Sequence, residues 1–304
     1  MQTDCANVVD VEHLAKQFGH VVALVDLTLH VRKGEIFGFL GPNGAGKTTS
    51  VKLLAGLARP SAGSGTLLGY PLGDRRARRR LGYLPELFRY HDWLTAREVL
   101  ALHARLIGER VHVRDLDAAL QTVGLRARAG DRVGTFSKGM QQRLGLAVAL
   151  LGNPELVILD EPTSALDPAG RLEVREILRG LRDRGVSVFL NSHLLTEVEK
   201  VCDRIAIVTR GRVVAQGTIP EIAGASAGVR VRVRENGTPL TQALAEYGPY
   251  TRDGEHIFAP EVHADRIPAL VAALVAAGAQ VYAVEPASTT LEERFLQLTQ
   301  ERGA

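Results

Sequence analysis

The chain has 304 residues, of which 45% are hydrophobic, 23% charged and 5% aromatic, and its Lys+Arg exceed its Asp+Glu by 37 − 34 = 3. That suits one large or two smaller globular domains, and so small a surplus gives no basic field of the kind a nucleic-acid partner requires. Two cysteines, Cys5 and Cys202, cannot build a disulfide framework, and no apolar run reaches the ~20 residues of a membrane helix. The histidines are scattered without metal-ligand spacing, and Met1 to Val11 lacks a basic-then-apolar leader, so a reduced cytoplasmic setting is expected.

Val8 to Val11 and Val22 to Val31 alternate like antiparallel strands, with Phe18-Gly19-His20 as the turn. Glu35 to Leu40 reads as a short apolar strand and Thr49 to Leu57 as an amphipathic helix. Between them Gly41-Pro42-Asn43-Gly44-Ala45-Gly46-Lys47-Thr48 fits G-x-x-x-x-G-K-[ST], the phosphate-binding P-loop. Glycines there let successive backbone N–H groups turn toward one anion, and the helix start that follows favours negative charge. Lys47 would reach the β/γ-phosphates, and the Thr48 hydroxyl would complete the shell of a Mg²⁺ ion.

Ser61-Ala62-Gly63-Ser64-Gly65 is expected to be a turn leading into a strand at Thr66 to Leu68. The cluster Arg75-Arg76 and Arg78-Arg79-Arg80 lacks interleaved aromatics and reads as a solvated helix surface. From Ala96 to Leu151 apolar residues recur at helical spacing. Asp131 to Gly134 matches D-x-x-G, but no N-K-x-D guanine motif accompanies it, so it reads as a loop. Leu156 to Leu159 is a buried strand ending in Asp160-Glu161, at the end where open α/β sheets bind ligands. Asp160 there can hold Mg²⁺ through water, and Glu161 can act as general base on a water. Strands at Val186 to Leu190 and Ile205 to Val208, with helices at Arg171 to Arg184 and Leu195 to Val201, point to a parallel sheet covered on both faces. After Ile222 the character changes. Gly224 to Gly228 reads as a linker, and a β-α-β-α-β-α succession ending in a helix at Leu291 to Glu301 reads as a small α+β domain over 225–304.

Further stretches carry a family resemblance. Phe136-Ser137-Lys138-Gly139-Met140-Gln141-Gln142-Arg143 resembles the signature sequence of ATP-binding cassette (ABC) proteins. Ser164-Ala165-Leu166-Asp167-Pro168 resembles their D-loop, Asn191-Ser192-His193 their switch histidine, and Leu81 to Glu86 their Q-loop. The resemblance covers roughly residues 7–220 and implies an α/β P-loop NTPase core with an antiparallel β subdomain and a helical subdomain at about 87–150. It implies that Gly41 through Thr49 bind the phosphates of ATP and Mg²⁺, that Asp160 holds the metal, and that Glu161 polarises water. It also implies that His193 contacts the γ-phosphate, Phe18 stacks on adenine, and Asp167 joins the nucleotide contacts. Ser137 and Gly139 would serve a nucleotide held mainly by a second subunit. Two departures stand out. Lys138 and Met140 replace the stricter Gly and Gln of the signature, and Glu86 replaces the Q-loop glutamine. Glu86 can accept from water or ligate Mg²⁺, but it cannot donate as an amide does.

The resemblance implies an ATPase subunit of an ABC transporter, peripheral on the cytoplasmic face of the membrane through a separately encoded permease. A second cassette, identical or not, would complete each site. Leu87 to Glu98, with Phe88, Tyr90, Trp93 and Leu94, is the expected landing for a permease helix. The Gly82 to Glu86 run, the signature and the ending Ser288 to Phe295 resemble the daunorubicin-resistance or multidrug exporter type. The alternative is a soluble ABC ATPase acting as a nucleotide switch in DNA repair or on the ribosome. No long coiled-coil insertion and no second cassette with a charged linker accompany it.

Overall fold

Alternating apolar residues pull the first two strands together: β1 (Asn7–Phe18) pairs antiparallel with β2 (Val21–Arg32) through a two-residue turn at Gly19-His20. The computed structural model describes residues 7–108, 112–164, 166–224, 228–234, 240–286 and 290–300. Cys5, Ala165, residues 225–227 of the linker, Ser288, Thr289 and Glu301 lie outside them. Two compact units divide the chain, one ending at Thr218 and the other beginning at Ile219.

The first unit continues with β3 (Ile36–Leu40), α1 (Lys47–Leu54), β4 (Ala62–Leu67), β5 (Tyr70–Pro71), α2 (Arg75–Arg79) and β6 (Leu81–Leu84). The helices α3 (Ala96–Leu106), α4 (Val113–Thr122) and α5 (Lys138–Ala149) follow, with two 3₁₀ turns between the last two. The rest is β7 (Leu156–Asp160), α6 (Pro168–Asp183), β8 (Ser187–Asn191), α7 (Leu195–Val201), β9 (Arg204–Thr209) and β10 (Arg212–Thr218). The sheet order is β5-β4-β1-β2-β10-β9-β3-β8-β7-β6. From β9 to β6 every neighbouring pair is parallel, so β3, β8, β7 and β6 end on one edge. Every residue of β3, β7 and β8 is buried, as in a sheet covered on both faces.

Packing explains why these strands lie side by side. Phe189 of β8 sits between Phe37 and Phe39 of β3, with ring centroids 5.9 and 5.3 Å away. On the other face of β3, a Cβ on Gly38 would come within 2.9 Å of Val198 and Ile205, so α7 lies close against the strand. Helix starts carry the expected caps: the Thr95 side chain and Glu98 form a capping box on α3, and Asp167 caps α6 ahead of Pro168.

Three local expectations are corrected. Residues 62–65 are strand and not turn, because Gly63 and Gly65 let β4 approach β1: a Cβ at either would lie 2.2 or 2.6 Å from a β1 carbonyl oxygen. Strands β6 and β10 were not anticipated; β6 is four residues long and β10 is interrupted by polar residues. The second unit also holds one more strand than the succession read from the sequence. It comprises α8 (Ile219–Ala223), β11 (Val229–Arg234), α9 (Thr241–Leu244), β12 (Thr251–Asp253), β13 (His256–Ala259), α10 (Ile267–Ala276), β14 (Gln280–Pro286) and α11 (Leu291–Gln300). Its sheet, β12-β13-β11-β14, is antiparallel throughout, and β11 to β14 form a β-α-β-β-α-β unit.

Phe189 is fully buried between two rings. Phe189→Ala should therefore lower unfolding free energy by about 3–5 kcal/mol, read from urea titration of the purified chain.

Candidate functional site

The P-loop is wedged where only glycine fits. A Cβ on Gly41 would lie 2.3 Å from the Val208 carbonyl oxygen, and one on Gly46, at φ +99°, would lie 2.7 Å from that of Ala23. Gly211 N–H donates to the Ala45 carbonyl at 2.9 Å and fastens the loop to the β9–β10 turn. Within the loop Ala45 N–H donates to Pro42. Among the described residues, no hydrogen bond is donated by the backbone N–H of Gly44, Gly46, Lys47 or Thr48, so these donors are left to an outside acceptor. Such a cradle at a helix start suits a phosphate.

Lys47 is 8% exposed and donates its Nζ to the carbonyls of Gly41, at 2.6 Å, and Pro42, at 3.2 Å. Burial lowers its pKa, and the charges of Glu161, Asp160 and Glu86 pull it back up. Those three carboxylates come from two neighbouring strands. Asp160 closes β7 and Glu161 follows it, while β6, paired in register with β7, runs out through Pro85 to the exposed Glu86.

Asp160 is 2% exposed and accepts from Asn191 Nδ2 at the end of β8. Burial raises its pKa, the Asn191 bond opposes that, and the charge of Glu86 adds to the rise. Glu161, 8% exposed, is also raised by burial and lowered in turn by His193 and Lys47. Its backbone is left-handed, at φ 54°, a conformation that costs a glutamate of order 1–3 kcal/mol. Glu161 N–H donating to the Asn191 carbonyl and Ser164 Oγ donating to the Glu161 carbonyl hold it there. His193 Nδ1 lies 2.8 Å from Glu161 Oε2 but is poorly aimed for a hydrogen bond, so the contact is chiefly electrostatic when the imidazole is protonated.

The fold thus gathers Lys47, Asp160, Glu161, His193 and Glu86 at one edge. Thr48 is exposed beside Lys47, Thr49 is half-buried, and Pro42 and Asn43 are exposed along the loop. Phe18 is 49% exposed, with Lys16 Nζ 4.7 Å over its ring. Ser137 caps α5 by accepting from Met140 N–H, and no hydrogen bond or ion pair among the described residues ties Ser137 or Gly139 to the P-loop. Asp167 accepts from Gly170 N–H as the cap of α6. Asn191 enters the sequence pattern only as the start of the stretch that ends in His193, yet it is the direct partner of Asp160. A polar residue closing a buried strand directly after Val188, Phe189 and Leu190 is its signal.

The donor set fits a hard cation. A hydroxyl and carboxylates suit Mg²⁺, which keeps few protein ligands and completes its shell with water and phosphate. Among the described residues no three His, Cys, Asp or Glu side chains are grouped to hold an ion by themselves, so phosphate oxygens and Thr48 would have to contribute.

Known proteins share this organisation. The profile of a family described as "ABC transporter" matches residues 24–164. An uncharacterised ABC transporter ATP-binding protein of Synechocystis is 41% identical over 98% of this chain and 86% of its own length. The Nod factor export ATP-binding protein I of Burkholderia pseudomallei is 35% identical over 96% of each chain. A solved ATP-binding subunit of an ABC transporter superposes with a TM-score of 0.64 at 34% identity, over 71% of this chain and 91% of that one.

Burial penalises the Asp160 carboxylate in the folded chain. A raised folded pKa means the penalty is absent below the unfolded value and complete above the folded one. Asp160→Asn should therefore raise the Tm of the metal-free chain at pH 7, with the gain vanishing near pH ~4, as scanning calorimetry across pH would reveal.

Proposed function

The chain belongs to the ABC family of transporter ATP-binding subunits, and from that premise we propose that it hydrolyses ATP to drive export through a separately encoded permease. One observation carries the reading: a buried lysine and two buried carboxylates stand beside a glycine cradle in which the N–H groups of Gly44, Gly46, Lys47 and Thr48 have no acceptor among the described residues. Export is the named role of the Nod factor relative, which matches along nearly its whole length. The daunorubicin-resistance or multidrug exporter type is the narrower assignment. No described helix is long and apolar enough to cross a membrane, so the pore would lie on another polypeptide and the chain would sit peripherally beneath it.

In this reading the N–H groups of Gly44, Gly46, Lys47 and Thr48 and the Lys47 ammonium neutralise phosphate oxygens, with Gly41 to Ala45 shaping the loop and Thr49 continuing the helix start. Thr48, Asp160 and Glu86 would hold Mg²⁺, which when bound adds positive charge at the β/γ-phosphates. Glu161 takes a proton from the attacking water, and its raised pKa brings it nearer the operating pH. His193, half-exposed beside it, steadies that carboxylate and faces the γ-phosphate. Phe18 offers its ring to adenine.

One P-loop covers one side of the transferring group. Ser137 and Gly139, at the exposed start of α5, would complete the site of a second cassette, with Asp167 nearby, and an identical copy is the simplest partner. The exposed Leu87 and Trp93, next to Phe88 and Tyr90, would receive a permease helix. The cassette would span the first unit, and the second would be an accessory domain.

Glu161→Gln should bind ATP, accumulate as a dimer in size-exclusion chromatography and turn over at least ~10²-fold more slowly; hydrolysis at the parent rate would sink the assignment of Glu161 as base. Lys47→Ala should weaken ATP binding by about 10–100-fold in equilibrium titration, and unchanged affinity would remove the P-loop reading.

A further inference from the structure

The second unit's sheet has one covered face and one open face. Val229, Val231 and Val233 of β11 pack into the helix-covered core with Ile257 and Ala259. The same alternation leaves Arg230, Arg232 and Arg234 exposed on the opposite side. In the strand register Arg230 stands between Phe258 and Glu285, and Arg232 between His256 and Ala283. The outer strand β12 brings Asp253 beside His256. These side chains line a groove of about 690 Å³, inside the ~300–1,000 Å³ range of small-molecule sites.

Charge layout decides the kind of ligand. Glu255 occupies Arg234 at 3.0 Å, whereas no carboxylate among the described residues pairs with Arg230 or Arg232. The Arg232 guanidinium lies 5.7 Å from the centre of the Tyr282 ring, which restricts it without consuming its donors. Two arginines two residues apart on a strand have Cα atoms roughly 7 Å apart and rise from the same face, so their forked donors can converge on one phosphate. Phe258, half-buried beside Arg230, offers a ring for stacking. Asp253 and Glu285, on the outer strands, can accept from hydroxyls or amines and would repel a polyanion laid across the sheet. That argues against a nucleic-acid strand, and the central basic row argues against stacking a second copy face to face.

We propose that this open face binds a ligand of nucleoside monophosphate size, with its phosphate on Arg230 and Arg232, its base on Phe258, and its hydroxyl or amine groups toward Asp253 and Glu285. All the lining residues belong to the second unit, so the test uses the full chain carrying Lys47→Ala. The probe is AMP, titrated by calorimetry. One AMP per chain should bind, with affinity unaffected by Lys47→Ala and falling with added salt. Arg230→Gln with Arg232→Gln should weaken AMP at least ~tenfold, while the matching Lys pair retains part of the affinity. Phe258→Leu should weaken AMP and leave pyrophosphate unchanged. If the Gln pair does not fold, the Lys pair and Phe258→Leu decide. Absence of AMP binding, AMP affinity indifferent to these substitutions, pyrophosphate binding as tight as AMP, or tighter binding of single-stranded RNA would each overturn the proposal.

Discussion

A buried ammonium that feels the charge of two buried carboxylates is the constraint around which this edge of the first unit is built. Lys47, Asp160 and Glu161 are each less than a tenth exposed. Any one of them alone would carry several kcal/mol of uncompensated desolvation. Their mutual attraction, the Gly41 and Pro42 carbonyls on Lys47 Nζ, and Asn191 on Asp160 offset that penalty. The offset requires the ends of β3, β7 and β8 to be adjacent, and the aromatic contact of Phe37, Phe39 and Phe189 holds two of those strands together. Such clusters are poor sources of stability compared with apolar packing. Their place at the ligand-binding edge of a parallel sheet is better explained by the charge they would present to a phosphate.

Backbone constraint complements charge at the same edge. Gly41 and Gly46 exist where β9 and β2 leave no room for a side chain, and Glu161 is held left-handed by hydrogen bonds on both sides of its peptide. The loop and the carboxylate are therefore positioned by contacts within the chain itself. Pre-positioned donors stabilise developing charge without reorganising during the reaction. Ser137 belongs to a different arrangement: it caps an exposed helix start by accepting from Met140 N–H, and no hydrogen bond among the described residues ties it to the P-loop.

Much of this was legible along the chain. The P-loop, the strand ending in Asp160-Glu161 and the alternating Val and Arg of β11 are short-range patterns, each written within about ten residues and governed by local backbone and burial preferences. The stretch at 61–65 misled because glycine signals both turns and close strand contacts, and only the approach of β1 tells them apart. Strand β12 was missed for a related reason. Three exposed residues carry no burial pattern, and they form a strand only because β13 is there to pair with.

By itself, the sequence determined the chemistry available: which residues can hold phosphate, accept a proton or cap a helix, since those properties belong to side chains and to their nearest neighbours. Only the tertiary structure decided which of them meet. The order β3-β8-β7-β6, the pairing of Asn191 with Asp160 and the separation of arginines from valines onto two faces of one sheet all depend on long-range packing between strands. Such contacts become favourable only after distant segments have come together, so no local pattern records them.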